Sequence, residues 1–149
     1  MNIAVDLHIH SALSPCGDND MTPNNIINMA LLKGLDAIAV TDHNSAENVE
    51  AVMELGHKKG IVVVPGMEVQ SKEEVHLLCY FAGLDRVLDF QRRVYNNLEG
   101  ENNPDYFGDQ LIMDEMDRVV GHNRRLLIGS TNLSVERIVD LVVREGGRV

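Results

Sequence analysis

Short apolar runs alternate along this chain with segments whose apolar residues recur at helical spacing. Apolar runs over residues 2–8, 37–40, 61–64 and 75–81 predict four strands, the third continuing to Glu68. Helix-period segments separate these runs. Such strand–helix alternation is typical of an α/β fold in which helices cover a parallel sheet.

Capping residues predict where the helices begin and end. Thr22 before Pro23 predicts the start of the first helix, which we expect to stop at Gly34. Ser45 and Ser134 are the expected N-caps of the second and the last helix.

The second half of the chain has a less regular pattern. After the fourth strand we expect a helix over roughly 85–98 and a polar loop over 99–106. A further helical segment is predicted around 108–121. The chain has 149 residues, 44% of them hydrophobic, which is enough for a single domain over residues 1–149.

The first strand leads into an Asp-x-His-x-His-Ser pattern, residues 6–11. Side chains at i and i+2 of a strand point to the same side, so the imidazoles of His8 and His10 converge. Two neutral imidazoles that converge at a strand end form half of a metal site.

Three further candidate ligands follow the later strands. His43 lies in Thr-Asp-His-Asn after the second strand, Glu68 in Gly-Met-Glu after the third, and His76 in Val-His-Leu on the fourth. In α/β folds the carboxyl ends of parallel strands form one edge, and active sites are built there. The sequence therefore predicts a mixed histidine–carboxylate metal centre, which suits Zn, Mn or Fe.

These four motifs together resemble those of the PHP family, the polymerase-and-histidinol-phosphatase metallophosphoesterases. The resemblance is close over residues 1–83 and holds in outline beyond them. It implies a distorted (β/α)7 TIM-like barrel, of which this chain would form the N-terminal half to two-thirds. It also implies a centre of two or three divalent metal ions.

The resemblance also implies a role for each ligand. His8 and His10 would bind one metal, Glu68 would bridge it to a second, His76 would bind that second metal, and His43 would bind a third. The third metal would take one more ligand from the loop after His10. Cys16 and Asp18 are both candidates, and the spacing leaves the choice open.

Asp6 and Asp42 stand beside these ligands. Carboxylates often orient a ligand imidazole by accepting its second N–H, and we take that role as a hypothesis for both residues.

The implied reaction is hydrolysis of a phosphate ester, a small phosphomonoester or a nucleotide, by a metal-activated hydroxide. The residues named as ligands would carry it. Two alternatives stay open: an amidohydrolase-type metal-dependent hydrolase, whose sequence also begins with His-x-His after the first strand, and a non-catalytic PHP-like module.

Net charge, hydropathy and cysteine content limit the classes of partner and the cellular location that we expect. The formal net charge is −10, which argues against broad binding to nucleic acid and leaves a small phosphorylated substrate as the expectation. No apolar run approaches the ~18 residues of a membrane span, so no membrane partner is expected. Cys16 and Cys79 form no disulfide framework, which favours a cytoplasmic location.

The family pattern places further metal ligands beyond the last residue of this chain. We therefore expect a chain truncated at its C-terminus, with an incomplete sheet. Because an unpaired sheet edge after the fourth or fifth strand invites pairing with another copy, we also expect a homo-oligomer.

Overall fold

A three-stranded parallel sheet and two antiparallel strand pairs form the framework of the chain, seen in a computed structural model that describes residues 1–149. The strands are β1 (Val5–Ile9), β2 (Ala37–Val40), β3 (Val62–Val63), β4 (Gly66–Gln70), β5 (His76–Tyr80), β6 (Leu111–Met113) and β7 (Val119–His122). The helices are α1 (Pro23–Leu32), α2 (Val49–Lys59), α3 (Leu84–Tyr95), α4 (Pro104–Phe107) and α5 (Val135–Arg144). The predicted α/β class is confirmed.

The parallel sheet has the order β1-β2-β3 and carries α1 and α2. β1 pairs with β2 at Val5 and Ala37, and β2 pairs with β3 at Ile38 and Val63. Apolar side chains of these helices and strands form a closed cluster: Ile26, Ile27, Ala30, Ile38, Val40, Val52, Leu55 and Ile61. The core thus fixes β2, whose carboxyl end leads into His43.

The prediction of four parallel strands is wrong for β4 and β5. The predicted third strand is interrupted between β3 and β4, and β4 then pairs antiparallel with β5 as a hairpin. The short turn between them is closed by Ser71, whose Oγ accepts hydrogen bonds from Glu73 N (3.2 Å) and Val75 N (3.3 Å). So short a connection permits only an antiparallel pair.

β4 nevertheless adjoins the parallel sheet through a single bridge. Residues His43 and Glu68 pair in parallel, with Glu68 N donating to Asp42 O (3.0 Å) and Asn44 N donating to Glu68 O (2.8 Å). On the open side of β1, the Tyr80 hydroxyl of β5 donates to the Leu7 carbonyl at 2.9 Å. The three sheets are not joined into one hydrogen-bonded barrel.

A second, larger core lies between the β4–β5 hairpin and helices α3 and α5. Phe90 at its centre is fully buried and stacks near Phe81, with ring centroids 5.0 Å apart. The other buried members are Ala46, Val49, Met67, Val69, Leu77, Cys79, Val87, Val94, Leu133, Ile138, Leu141 and Val142. This core holds the hairpin that carries Glu68 and His76.

The helix predicted around 108–121 is wrong, because this segment is the β6–β7 hairpin. Asp114 turns the chain by accepting hydrogen bonds from Met116 N (2.9 Å) and Arg118 N (3.0 Å), and Asp117 adopts a φ of 59°. Short apolar runs fit a strand as well as a helix, so periodicity alone does not separate the two.

Two of the three predicted N-caps are confirmed. Thr22 accepts from Asn25 N and Ser134 from Arg137 N, at the starts of α1 and α5. Ser45 is not a cap, since α2 begins at Val49 and the Ser45 hydroxyl lies 2.6 Å from that of Tyr95.

The remaining boundaries differ by a few residues from those expected. α1 ends at Leu32, and Gly34 follows with the left-handed φ of 68° that glycine adopts easily. α3 ends at Tyr95, and the polar stretch 99–106 includes the start of α4.

The sheet edges are partly covered. Tyr80 of β5 exchanges two hydrogen bonds with Arg148 (2.8 and 2.9 Å), whereas β1 forms the end of its sheet. The homo-oligomer stays a prediction.

The helices are too short or too polar for any of them to span a membrane. Both cysteines are free, Cys16 exposed and Cys79 buried; the cytoplasmic location stays a prediction.

We expect Asp117→Ala to destabilise the chain by about 1–3 kcal/mol. The Asp117 carboxylate accepts from Thr22 Oγ1 (2.7 Å), Asn24 N (3.0 Å) and Asn24 Nδ2 (2.9 Å), and so fastens the β6–β7 hairpin to the start of α1. Glu74→Ala is the matched control, because Glu74 also has a positive φ (63°) but is exposed. Urea denaturation measures both, and equal losses of unfolding free energy would contradict the docking role.

Candidate metal centre

The first pair of histidines comes from β1. His8 and His10 lie two residues apart on one side of the strand, with ring centroids 5.2 Å apart. The His8 side chain is 50% exposed and that of His10 is 21% exposed. The expected convergence of the two imidazoles is therefore observed.

His43 follows β2 in a segment that is held rigidly. Its neighbour Asn44 adopts a φ of 50°, a conformation that asparagine tolerates better than most residues. Asn44 Nδ2 donates to Leu127 O and Gly129 O (both 2.8 Å), and its Oδ1 accepts from Gln70 N (3.1 Å). These bonds fix the backbone from which the buried His43 ring projects.

Glu68 stands at the centre of the cluster. Its Oε2 lies 2.9 Å from His10 Nε2 and 3.5 Å from His43 Nδ1. Its Oε1 lies 3.1 Å from His76 Nδ1 and 3.5 Å from His8 Nε2. The side chain is only 6% exposed, so a single buried carboxylate faces four imidazoles.

The antiparallel pairing of β4 with β5 places His76 beside Glu68. Gln70 pairs with His76 and Glu68 with Leu78, so Glu68 and His76 are diagonal neighbours on one face of the hairpin. The predicted parallel strand was wrong, yet the predicted residue reaches the site.

Cys16 joins the cluster and Asp18 does not. Cys16 Sγ lies 3.3 Å from His10 Nδ1, and ligand atoms of His10, Cys16 and His43 lie within 4.8 Å of one another. The Asp18 carboxylate instead accepts a hydrogen bond from Asp20 N (2.8 Å) in the same exposed loop. Of the two candidates left open by the spacing, the structure places Cys16 near the histidines.

Charge coupling sets the protonation of the cluster. Burial raises the pKa of Glu68, but the hydrogen bond from His10 and the nearby imidazoles outweigh burial and lower it to about 2. Burial lowers the pKa of His43 to about 4, and repulsion from His10 adds to this effect. The hydrogen bond to Glu68 raises the pKa of His10, against the opposing effect of burial.

These donors fit divalent metal ions. His43 Nδ1 is buried and has no hydrogen-bond partner, an arrangement that is costly for a polar atom unless another group binds it. Ligand atoms fall into three groups, each within 4.8 Å: His8, His10 and Glu68; His43, Glu68 and His76; and His10, Cys16 and His43. Although Cys16 is exposed as a residue, partial burial of its thiol raises the pKa, so a cation would have to displace the proton.

The hypothesis that Asp6 and Asp42 orient ligand imidazoles is wrong in this structure. Asp6 accepts a hydrogen bond from the backbone N of His8 (3.2 Å). Asp42 accepts from Ser11 N, Ser11 Oγ and Ser14 Oγ. Ser11 and Ser14 were not among the predicted site residues, and the Ser that ends the Asp-x-His-x-His-Ser pattern was the available signal.

Comparison with known proteins places these residues in a family context. A family model described as PHP domain matches residues 6–143. Phosphoribosyl 1,2-cyclic phosphate 1,2-diphosphodiesterase of Eggerthella lenta is 33% identical over 78 residues, which cover 49% of this chain and 29% of that protein. An uncharacterised protein of Methanocaldococcus jannaschii is 34% identical over 76 residues, covering 46% of this chain and 44% of that protein. The chain thus spans less than half the length of either relative.

Solved structures show a similar fold. A lesion-specific endonuclease Q from Pyrococcus furiosus has a TM-score of 0.63 and 21% identity, covering 97% of this chain and 33% of its own. An amidohydrolase from Chromobacterium violaceum has a TM-score of 0.59 and 18% identity, covering 96% of this chain and 64% of its own. At such identities the likeness concerns the fold alone.

We expect the metal-free protein to lose stability as the pH falls from 6.5 to 4. The pKa of His43 is 6.5 in the unfolded chain and about 4 in the folded chain. Between these values the unfolded chain binds the proton more readily, so acid stabilises the unfolded state. The full effect of this one group is about 3 kcal/mol. Below pH 4.5 the lowered pKa of Glu68 causes a further loss of stability as the pH falls. The raised pKa of His10 acts in the opposite direction: its contribution to stability is present below pH 6.5 and is lost as the pH rises.

Denaturation of chelator-treated protein between pH 4 and 7 measures this slope. His43→Asn is expected to flatten it. His57→Asn, which changes an exposed histidine in the last turn of α2, is expected to leave it unchanged. A slope that survives in His43→Asn would contradict the assignment.

Proposed function

The chain belongs to the PHP domain family, and from that premise we propose that it hydrolyses a phosphate ester with the help of divalent metal ions. The proposed substrate is a small phosphomonoester or a nucleotide. The observation that carries the proposal is the buried Glu68 carboxylate, both of whose oxygens face histidines from β1, β5 and the segment after β2.

We assign the ligands from the three groups of atoms, giving each histidine to one ion only. His8, His10 and Glu68 would hold one ion, and Glu68 with His76 a second. Cys16 and His43 would hold a third, and we favour Cys16 over Asp18 because its sulfur already lies beside His10. Two or three such ions supply Lewis acids for the phosphate oxygens and a water of lowered pKa as the nucleophile.

The protein side chains set up this chemistry. With a pKa of about 2, Glu68 stays ionised at neutral pH and offsets part of the charge of the cations. His43, with a pKa of about 4, stays neutral, so one of its two ring nitrogens keeps a lone pair for a cation. The identity of the metal, Zn, Mn or Fe, is left open by this mixed donor set.

A cavity of about 630 Å³ beside the cluster supports a small substrate. It opens between β1 and α1 and has His8, His10, Asn25, Asn28 and Lys33 in its lining. A volume of this size is typical of small-molecule sites. Lys33 is the only lysine or arginine in the lining, which also contains the carboxylates of Asp6 and Asp20, so the cavity offers no basic surface for a polyanion.

Nucleic acid remains as a competing substrate class. The net charge of −10 opposes broad binding, but the fold is shared with an endonuclease Q. The Eggerthella lenta relative is, by its name, a diesterase of a small cyclic phosphate. We therefore rank a small phosphorylated substrate first.

The amidohydrolase and the non-catalytic module are ranked lower. The amidohydrolase of Chromobacterium violaceum shares the fold, whereas the family model that matches is that of the PHP domain. A degenerate module would not be expected to keep all four histidines around one carboxylate.

We also propose that residues 1–149 form one domain that includes part of a barrel wall. The parallel bridge between His43 and Glu68 makes β2 and β4 neighbours, and β1 adjoins β2 on the other side. This chain spans less than half the length of either relative, so we propose the activity and the substrate for the whole protein.

We expect Glu68→Gln to lower metal-dependent phosphatase activity by about a hundredfold or more, because the amide carries no charge and offers one donor oxygen fewer. Glu54→Gln makes the same chemical change on the surface of α2, where Glu54 pairs with Lys58, and should retain activity. Hydrolysis of p-nitrophenyl phosphate, its bis-ester, an oligonucleotide and an anilide is measured on chelated and metal-reloaded protein.

Turnover of the phosphate esters that is lost with chelator and in Glu68→Gln is the expected result. Turnover of the anilide alone would favour the amidohydrolase. Metal-replete protein that cleaves none of the four would support the non-catalytic module.

A further inference from the structure

The buried carboxylate of Asp42 organises the turn after β1. Asp42, Ser11 and Ser14 are all fully buried. Asp42 Oδ1 accepts from Ser11 N (2.7 Å) and Ser14 Oγ (2.7 Å), and Oδ2 accepts from Ser11 Oγ (2.6 Å). No metal-ligand imidazole is among these partners.

The same hydroxyls connect Asp42 with neighbouring segments. Ser14 Oγ also accepts from His43 N at 3.1 Å, which ties the turn to the backbone of a candidate ligand. Ser11 Oγ also accepts from Leu13 N (3.2 Å) and Asn48 Nδ2 (3.0 Å). Ser11 therefore links Asp42 to Asn48, and Ser14 fixes the backbone of the residue that follows Asp42.

The turn closes tightly around Cys16. Ser14 N donates to Ser11 O (3.1 Å), and Gly17 N donates to Ser14 O (2.8 Å). A Cβ at Gly17 would lie 2.5 Å from Ser11 O and 3.1 Å from Ser14 O, closer than side-chain carbons approach backbone oxygens. The path from Ser11 to Gly17 thus has little freedom once Asp42 holds its two serines.

We propose that Asp42 is a positioning residue, which holds the Ser11–Gly17 turn so that Cys16 reaches the site formed with His10 and His43. This inference rests on the proposed metal-dependent function. Asp42 acts on the metal centre through the turn and through His43 N. Three short hydrogen bonds stabilise its buried carboxylate.

Asparagine cannot replace Asp42 in this role. Ser11 N must donate to an oxygen, so the NH₂ group of an asparagine would take the place of Oδ2 and face Ser11 Oγ, which already accepts from Leu13 N and Asn48 Nδ2. Asp42→Asn therefore breaks at least one contact to Ser11 or Ser14. Ser14→Ala is the milder variant, since it removes one hydrogen bond to Asp42 and the acceptor of His43 N.

Titration of the metal-free full chain with Co²⁺ tests the proposal. A thiolate ligand gives a near-ultraviolet charge-transfer band that histidine and carboxylate ligands do not give. The band is expected in the wild type and lost in Cys16→Ser, since Cys79, the only other cysteine, is buried in the core. Asp42→Asn and Ser14→Ala should weaken cobalt binding at the thiolate site about tenfold to a hundredfold.

Thr131→Val is the matched control. Thr131 is a buried hydroxyl that donates to Gln70 O (2.8 Å) and accepts from Leu133 N, away from the turn. It should lose stability and keep the thiolate band at wild-type affinity. If Asp42→Asn does not fold, as judged by circular dichroism, Ser14→Ala decides.

Wild-type affinity at the thiolate site in folded Ser14→Ala and Asp42→Asn would overturn the proposal, as would an equal loss in Thr131→Val. Cobalt bound without a thiolate band would also overturn it, while leaving the Glu68 centre intact. Failure of the wild type to bind cobalt at all would overturn both this inference and the proposed function.

Discussion

The carboxylate of Glu68 faces four imidazoles, and the rest of the structure is arranged around this one contact. A buried carboxylate is costly unless charged or hydrogen-bonding partners surround it. Here the histidine partners come from three separate parts of the chain: β1, the segment after β2, and β5. The pKa of about 2 for Glu68 reflects how strongly the cluster favours its ionised form.

Each partner of Glu68 is fixed by a different device. Two apolar cores hold β2 and the β4–β5 hairpin, so that Glu68 and His76 keep their register. Asn44 holds the backbone beside His43 through three hydrogen bonds. Rigid support of this kind is what a metal centre needs, because ligands that must reorganise bind more weakly.

Local patterns in the sequence were sufficient for much of the site. Alternation along a strand brings His8 and His10 together whatever the rest of the fold does, and the apolar run before His43 marks a buried strand. Thr22 and Ser134 act within one helical turn, so their roles could be read from neighbouring residues. These features depend on contacts between residues close in the sequence.

Features that depend on distant contacts were not predictable. The β6–β7 hairpin is anchored by Asp117 to residues of α1, and its apolar run fits a helix equally well. Ser45 resembles a cap, but its hydroxyl pairs with Tyr95, 50 positions later in the chain. The choice between Cys16 and Asp18 and the partners of Asp42 both depend on how the loop after β1 packs against residues that follow β2.

The metal content of the purified chain tests the central claim most directly. Elemental mass spectrometry of protein prepared without chelator gives the number of metal ions per chain. The four histidines, Cys16 and Glu68 predict two or three ions. Well under one ion per chain, under conditions in which the protein is folded, would contradict the view that this cluster is a metal centre.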